Sequence, residues 1–175
     1  MRDGTTAGEQ DLPTEEKVAA ANRAALELAQ RDDAARSAAL ETMATAIREH
    51  SEEILAANEK DVAAAEELLE AGEYSQALVD RLKLSEAKLD DIAEMVESVA
   101  GQDDPLGRTQ SARRLDEALE LYRCSVPIGV VGTIFESRPD ALVQIAALCL
   151  KSGNSVILKG GSEASHSNRV LYALI

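Results

Sequence analysis

Apolar residues recur with a helical period over the first hundred residues, then give way to short β-branched runs. After Pro13-Thr14, where Glu15 and Glu16 suit the positive end of a helix, Val18, Ala21, Ala25 and Leu28 fall on one face. Asp32-Asp33 opens a second helix striped by Leu40, Met43, Ala44 and Ile47 and closing near His50. Ser51 is placed to cap a third, in which Leu55, Val62 and Leu69 repeat at heptad spacing until Gly72 stops it. A short helix is predicted around 75–82. Ser85 then caps a fifth, with Leu89, Ile92, Val96 and Val99 on its inner face and Gly101 at its end. The pattern predicts a helical layer over 14–100, preceded by a loose terminus at 1–13 that has no periodicity.

The period changes after a Gly-, Asp-, Pro- and Arg-rich loop at 101–114. Leu115, Ala118 to Tyr122 and Ser125-Val126 suit a hairpin or strand pair, so 101–126 is loop plus strands. Residues 128–134 and 155–158 are β-branched runs of the kind buried on both faces of a parallel sheet. Between them, 139–150 reads as a helix with Leu142, Ile145, Ala146 and Cys149 inward, closed by a turn at Lys151-Ser152-Gly153-Asn154. A further helix begins near Glu163. Strand, helix, strand, helix is a βαβ unit with a right-handed crossover expected. The fold class is therefore α/β, a helical layer on an incomplete Rossmann-like parallel sheet that needs later strands to close.

Composition narrows the function classes. The 175 residues include 30 Ala, and the aromatics are only Tyr74, Tyr122, Phe135 and Tyr172, which points to closely packed helices. The formal net charge is −14, which argues against nucleic acid and against an anionic membrane surface as partners. From 111 onward six acids face seven bases, so that segment is +1 and the first 110 residues carry −15. The second part is the one electrically suited to an anionic ligand. Cys124 and Cys149 form no disulfide framework or metal-ligand cluster, and buried structural thiols are expected. His50 and His166 have no partner at useful spacing and are expected at the surface. No apolar run is long enough to cross a membrane, the terminus does not resemble a signal peptide, and a cytoplasmic location is expected.

Two strand-to-helix loops carry the candidate chemistry, because ligands of open α/β sheets bind outside the carboxyl ends of the strands. In Phe135-Glu136-Ser137-Arg138-Pro139, Arg138 offers a planar donor fork for carboxylate or phosphate, against the bland alternative of a capping loop with a surface ion pair. In Lys159-Gly160-Gly161-Ser162-Glu163, two glycines permit close backbone approach and the following helix start favours an anion, although a simple βα turn has the same look. That segment matches neither the P-loop nor G-x-G-x-x-G.

These segments follow one another in an order that resembles a known family. Val126-Pro127-Ile128-Gly129-Val130-Val131-Gly132, the Phe-Glu-Ser-Arg-Pro loop, Leu148-Cys149-Leu150-Lys151-Ser152-Gly153-Asn154 and Val156-Ile157-Leu158-Lys159-Gly160-Gly161 are similar to the γ-glutamyl phosphate reductases (glutamate-5-semialdehyde dehydrogenases) of the aldehyde dehydrogenase superfamily. Ile54-Leu55-Ala56-Ala57-Asn58 and Asp80-Arg81-Leu82-Lys83-Leu84 extend the resemblance into the helical part. It covers about 14–175.

The resemblance implies NADPH-dependent reduction of L-glutamyl 5-phosphate to L-glutamate 5-semialdehyde and phosphate, in proline biosynthesis, through a cysteine thioester. It implies an NADPH/NADP site at Phe135, Glu136, Lys159, Gly160, Gly161 and Ser162, with 127–175 as the first βαβ part of the NADP-binding domain. Arg138 is the candidate for substrate, and no metal is implied. The family's nucleophilic Cys belongs to a catalytic domain beyond Ile175, so no catalytic residue is expected here and the chain alone is expected to be inactive. Where the superfamily places an oxyanion-donating Asn, this loop carries Glu136 and Arg138. The glutamate 5-kinase that supplies the substrate is a candidate partner, and the complete protein is expected to form a homo-oligomer. A stand-alone, non-catalytic nucleotide-binding module is the rival reading.

Overall fold

A computed structural model describes residues 13–175; the terminus expected to be loose otherwise lies outside the described residues. Five helices come first among the described residues: α1 (Thr14–Leu28), α2 (Asp33–Glu49), α3 (Ser51–Glu70), α4 (Gln76–Leu82) and α5 (Glu86–Ala100). A hairpin follows, β1 (Thr109–Asp116) and β2 (Leu119–Cys124), then β3 (Val130–Ile134), α6 (Pro139–Lys151), β4 (Ser155–Lys159), a 3₁₀ turn (Ser162–Ala164) and α7 (Ser165–Leu174). β3 and β4 run parallel with Val130 opposite Ser155 and Ile134 opposite Lys159, as the βαβ pattern requires.

Local chemistry accounts for the helix ends. Asp32, Ser75 and Ser85 each accept from the backbone N–H three residues on, at Ala35, Leu78 and Lys88. Gly72 and Gly153, both at positive φ, close α3 and α6 with paired backbone bonds, Glu73 N to Leu68 O and Asn154 N to Cys149 O being the longer-range members. Gly153 is also sterically required, since a Cβ there would lie 2.8 Å from Leu106 Cδ1. Ser51, expected as a cap, is the first helical residue of α3, and His50 precedes it without a side-chain cap.

One apolar core joins both parts of the chain. Leu40, Met43, Ala44 and Ile47 of α2 meet Leu89, Ile92, Val96 and Val99 of α5, with Leu142, Val143 and Ala147 of α6 and Leu171 of α7 in the same cluster. On α6 the buried face is therefore Leu142, Val143, Ala147 and Cys149; Ile145 and Ala146, expected inward, are only half-buried because the helix turns its 143/147 edge to α2 and α5. On α1 only Ala25 is buried and Val18 is exposed. That helix lies against β4, where Ser155 donates its hydroxyl to Ala21 O at 2.7 Å.

The stripe of α3 departs from expectation in an instructive way. Its buried residues are Ile54, Ala57, Asn58, Asp61 and Ala65, and the heptad Leu55, Val62 and Leu69 flanks them half-buried. Polar Asn58 and Asp61 belong inside because their bonds are all made within the protein. Asn58 donates to Leu82 O and to Ser167 Oγ and accepts from Leu84 N, which pins the α4–α5 connection. Asp61 accepts from the N–H groups of His166 and Ser167 and from Ser167 Oγ, capping α7 from another helix. His166 is thus not isolated, since its Nδ1 lies 2.7 Å from Asp61 Oδ1.

A second buried tie uses charge. Lys151, at the end of α6, reaches Ser37 Oγ, Ala100 O and the Asp33 carboxylate. Arg36 pairs with Asp104 at 2.7 Å. The Leu106 N–H, followed by Arg36, holds the Asp104 carboxyl below the usual carboxylate range.

The strands differ most from the sequence reading. β1 begins at Thr109, inside the stretch expected as loop, Ala118 lies in the turn, and Ser125-Val126 lies outside the strands. Both hairpin strands are exposed along their whole length. The run at 128–134 is not buried on both faces: Ile128 is 84% and Ile134 77% exposed. Among the described residues only β4 pairs with β3, so two strands leave uncovered the faces that a larger sheet covers.

Candidate functional site

The ends of β3 and β4 lie side by side, and the loops leaving them build the site. Phe135 N donates to Lys159 O at 3.1 Å, so the strand ladder continues one residue into the first loop. Ser137 then takes a positive φ of 50°, a conformation that needs outside support in a residue with a Cβ. Support comes from Glu163: its Oε1 accepts from both the backbone N–H and the hydroxyl of Ser137. Gly161 makes this possible, because a Cβ there would lie 2.2 Å from the Glu163 carboxylate oxygens. A Cβ on Gly160 would lie 2.4 Å from Asn168 Nδ2 and 3.3 Å from Phe135 Cζ. A side chain at either glycine would therefore have to displace Asn168 or pull the Glu163 carboxylate off Ser137.

A cavity of about 610 Å³ opens beside these loops, between β4, α1 and α7. Phe135, Lys159, Gly160, Gly161 and Ser162, the residues that the family resemblance nominates for a cofactor, all line it. Glu136 does not line it and is exposed, because the turn at Ser137 carries its side chain away from the wall. Arg138 is also elsewhere: 60% exposed, 3.6 Å from Asp140, it lines a second cavity. The five-residue loop thus joins two cavities, with Phe135 in one and Arg138 in the other.

Sequence reasoning missed the contributions of the two flanking helices. Lys17, Ala20, Ala21 and Ala24 present one face of α1, while Ser165, Asn168, Arg169 and Tyr172 present one face of α7. Each set sits at i, i+3, i+4, i+7, a polar or small-residue period visible in the sequence once the helix is known to face a ligand rather than a core.

The chemistry of the wall is one-sided. Among the described residues, Lys17, Lys159 and Arg169 line the cavity and no carboxylate does, in a chain of net charge −14. Lys159 and Arg169 with the Ser162 and Ser165 hydroxyls suit an anion carrying acceptor oxygens. The Asn168 side-chain oxygen is buried without a donor, and a buried acceptor left unpaired is costly. A ligand with a hydroxyl or amine beside its anionic group satisfies both the cations and this oxygen. Phosphorylated adenosine has that combination, so these residues fit the larger half of a dinucleotide.

Neither cysteine lines either cavity. Cys149 is buried and burial pushes its thiol pKa up, which suppresses the reactive thiolate. Cys124 is exposed on β2. At neutral pH under native conditions, iodoacetamide is therefore expected to label Cys124 and spare Cys149, with both labelled in denaturant. Mass spectrometry of the labelled peptides checks this; equal native labelling would contradict the buried placement. Among the described residues no cluster of His, Cys, Asp or Glu is arranged to hold a metal ion, and no helix is long and apolar enough to cross a membrane.

Comparisons with known proteins identify relatives of the chain. Residues 4–175 match the model of the aldehyde dehydrogenase family. The γ-glutamyl phosphate reductase of Natronomonas pharaonis is 73% identical over 162 residues, covering 93% of this chain and 37% of that protein. The γ-glutamyl phosphate reductase of Haloquadratum walsbyi is 61% identical over 172 residues, covering 98% of this chain and 38% of that protein. The crystal structure of γ-glutamyl phosphate reductase from Thermotoga maritima superposes with a TM-score of 0.84 at 35% identity, over 91% of this chain and 38% of that one. The chain thus spans somewhat over a third of the length of these relatives.

Proposed function

The chain belongs to the aldehyde dehydrogenase family, and from that premise we propose that it is the nucleotide-binding part of a γ-glutamyl phosphate reductase. The reaction is reduction of L-glutamyl 5-phosphate by NADPH to L-glutamate 5-semialdehyde, phosphate and NADP⁺, in proline biosynthesis. The observation that carries this reading is the cationic cavity at the paired strand ends, which no carboxylate lines among the described residues, with the orphaned Asn168 oxygen in its wall.

NADPH, when bound, supplies the hydride. The chain's own residues bind and orient. Lys159 and Ser162 donate to the phosphorylated ribose, and the backbone at Gly160 and Gly161 lets the adenosine approach the strand end. Ser137, fixed by Glu163, holds the 135–139 loop so that Phe135 closes the cofactor side while Arg138 faces the substrate side. An acyl phosphate is already activated, so the further requirement is a thiolate. A cysteine beyond Ile175 attacks the C5 carbonyl carbon, the C–S bond forms and phosphate leaves with the C–O bond electrons. A cofactor held by Lys159, Gly160, Gly161 and Ser162 would supply the hydride that releases this thioester as the aldehyde, with the thiolate as leaving group.

The exposed Val126, Ile128 and Ile134 disfavour the rival reading of a stand-alone module, since a self-sufficient domain covers such faces. The same proposal places the protein in the cytoplasm as a homo-oligomer, supplied with substrate by a glutamate 5-kinase.

Cofactor choice tests the assignment. A carboxylate three residues after the lysine would accept from a ribose 2′-hydroxyl and repel a 2′-phosphate. Here Ser162 holds that position, and the Glu163 carboxylate is turned onto Ser137. The complete enzyme is expected to show a higher kcat/KM with NADPH than with NADH. Ser162→Glu should lower the NADPH value by at least about 10-fold through like-charge repulsion. A wild-type preference for NADH would overturn the assignment.

A further inference from the structure

The second cavity, of about 520 Å³, shares no lining residue with the first yet meets the same loop through Arg138. Its wall mixes charges of both signs over an apolar floor: Arg81, Lys88 and Arg138 against Asp80, Asp91 and Asp140, with Leu84, Ile92 and Met95 beneath. Most of the polar groups are committed within the protein. Asp140 takes Gln144 and Arg138, Asp80 takes Gln76, and Lys88 Nζ donates to Lys83 O. Arg81 and Asp91 have no such partner among the described residues. An uncommitted guanidinium and an uncommitted carboxylate, in one cavity that is otherwise balanced, suit a ligand that is itself a zwitterion. A phosphate group would meet three carboxylates there, which disfavours it.

We propose that this cavity binds the α-amino-acid head of the substrate, with Arg81 and Arg138 on the α-carboxylate, Asp91 on the α-ammonium, and Ile92 and Met95 against the methylenes. The inference rests on the reductase reading above and says which end of the substrate this side of the loop holds. The acyl end then points toward the 135–139 loop, whose Phe135 lines one cavity and Arg138 the other. Binding the head through opposite charges gives selectivity for an α-amino acid over a simple dicarboxylic semialdehyde.

The test uses the complete enzyme in the reverse direction, with NADP⁺, phosphate and either L-glutamate 5-semialdehyde or 5-oxopentanoate, which lacks the ammonium group. Arg81 and Asp91 are both exposed, so Arg81→Met and Asp91→Asn should fold. Loss of one charge-assisted contact is expected to raise KM roughly 10- to 100-fold. Arg81→Met should raise it for both aldehydes. Asp91→Asn should raise it for L-glutamate 5-semialdehyde alone, abolishing discrimination between the two. NADP⁺ affinity, measured separately by calorimetry, should be unchanged in both variants. An unchanged KM for L-glutamate 5-semialdehyde in Asp91→Asn, or an equal rise for both aldehydes, overturns the proposal while leaving the reductase reading intact. A wild-type enzyme that neither binds NADP⁺ nor oxidises the semialdehyde sinks the reductase reading and this inference with it.

Discussion

Asp61→Ala is expected to destabilise the complete enzyme by roughly 3–5 kcal/mol, more than any single apolar truncation at the edge of the core. The carboxylate is 3% exposed and receives four bonds from two consecutive residues: His166 N at 3.1 Å, His166 Nδ1 at 2.7 Å, and Ser167 N and Oγ at 2.7 Å each. Two of these donors belong to the first turn of α7, where no intrahelical acceptor exists. Alanine leaves both unpaired, that of Ser167 fully buried and that of His166 partly so. The effect should reach the cofactor, because α7 carries Asn168, Arg169 and Tyr172 into the cavity wall. Asp61→Asn retains one acceptor oxygen and should cost less. Thermal melts followed by circular dichroism, with calorimetric NADP⁺ binding at a temperature where both proteins are folded, check the two consequences. A melting midpoint for Asp61→Ala within about 1 °C of wild type would show that the network contributes no net stability.

That network also marks where the sequence is hard to interpret. α5 is legible because every signal agrees: a Ser85 cap, apolar residues at i, i+3, i+7 and i+10, and Gly101 at the end. α3 misleads because periodicity arguments count only apolar residues, whereas its buried line includes Asn58 and Asp61, whose partners lie 24 to 109 positions away. His166 is misjudged for the same reason, its partner being 105 residues distant. The hairpin is legible in its second strand and not in its first. β1 reads Thr-Gln-Ser-Ala-Arg-Arg-Leu-Asp, and with both faces exposed it has no buried side to impose an alternation. The βαβ unit and the Lys159-Gly160-Gly161-Ser162 turn at the strand end are legible because turn glycines and strand ends are local features. The helix faces that complete the cavity are not, since an Ala-rich face on α1 looks the same whether it packs against a core or borders a ligand.

Purified alone, the 175-residue chain is expected to oxidise no NADPH with glutamyl phosphate and to reduce no NADP⁺ with semialdehyde and phosphate. Thioester chemistry needs a thiolate in reach of both the substrate and the hydride donor. Cys149 is buried on α6 with its pKa raised, and Cys124 sits on a hairpin strand; neither touches the cavities that the 135–139 loop joins. Apolar exposure adds a second difficulty: Val126, Ile128, Ile134 and Leu148 are each more than half exposed, so self-association of the isolated chain is expected. The two causes separate in the complete enzyme. There Cys124→Ala and Cys149→Ala should each retain turnover, with Cys149→Ala losing about 1 kcal/mol or somewhat more of stability from the vacated volume. Stopped-flow absorbance of NADPH in the isolated chain and in both variants provides the measurement. A folded Cys124→Ala or Cys149→Ala enzyme without turnover would place the nucleophile within these 175 residues and would require the hairpin or α6 to move against the 135–139 loop during the reaction.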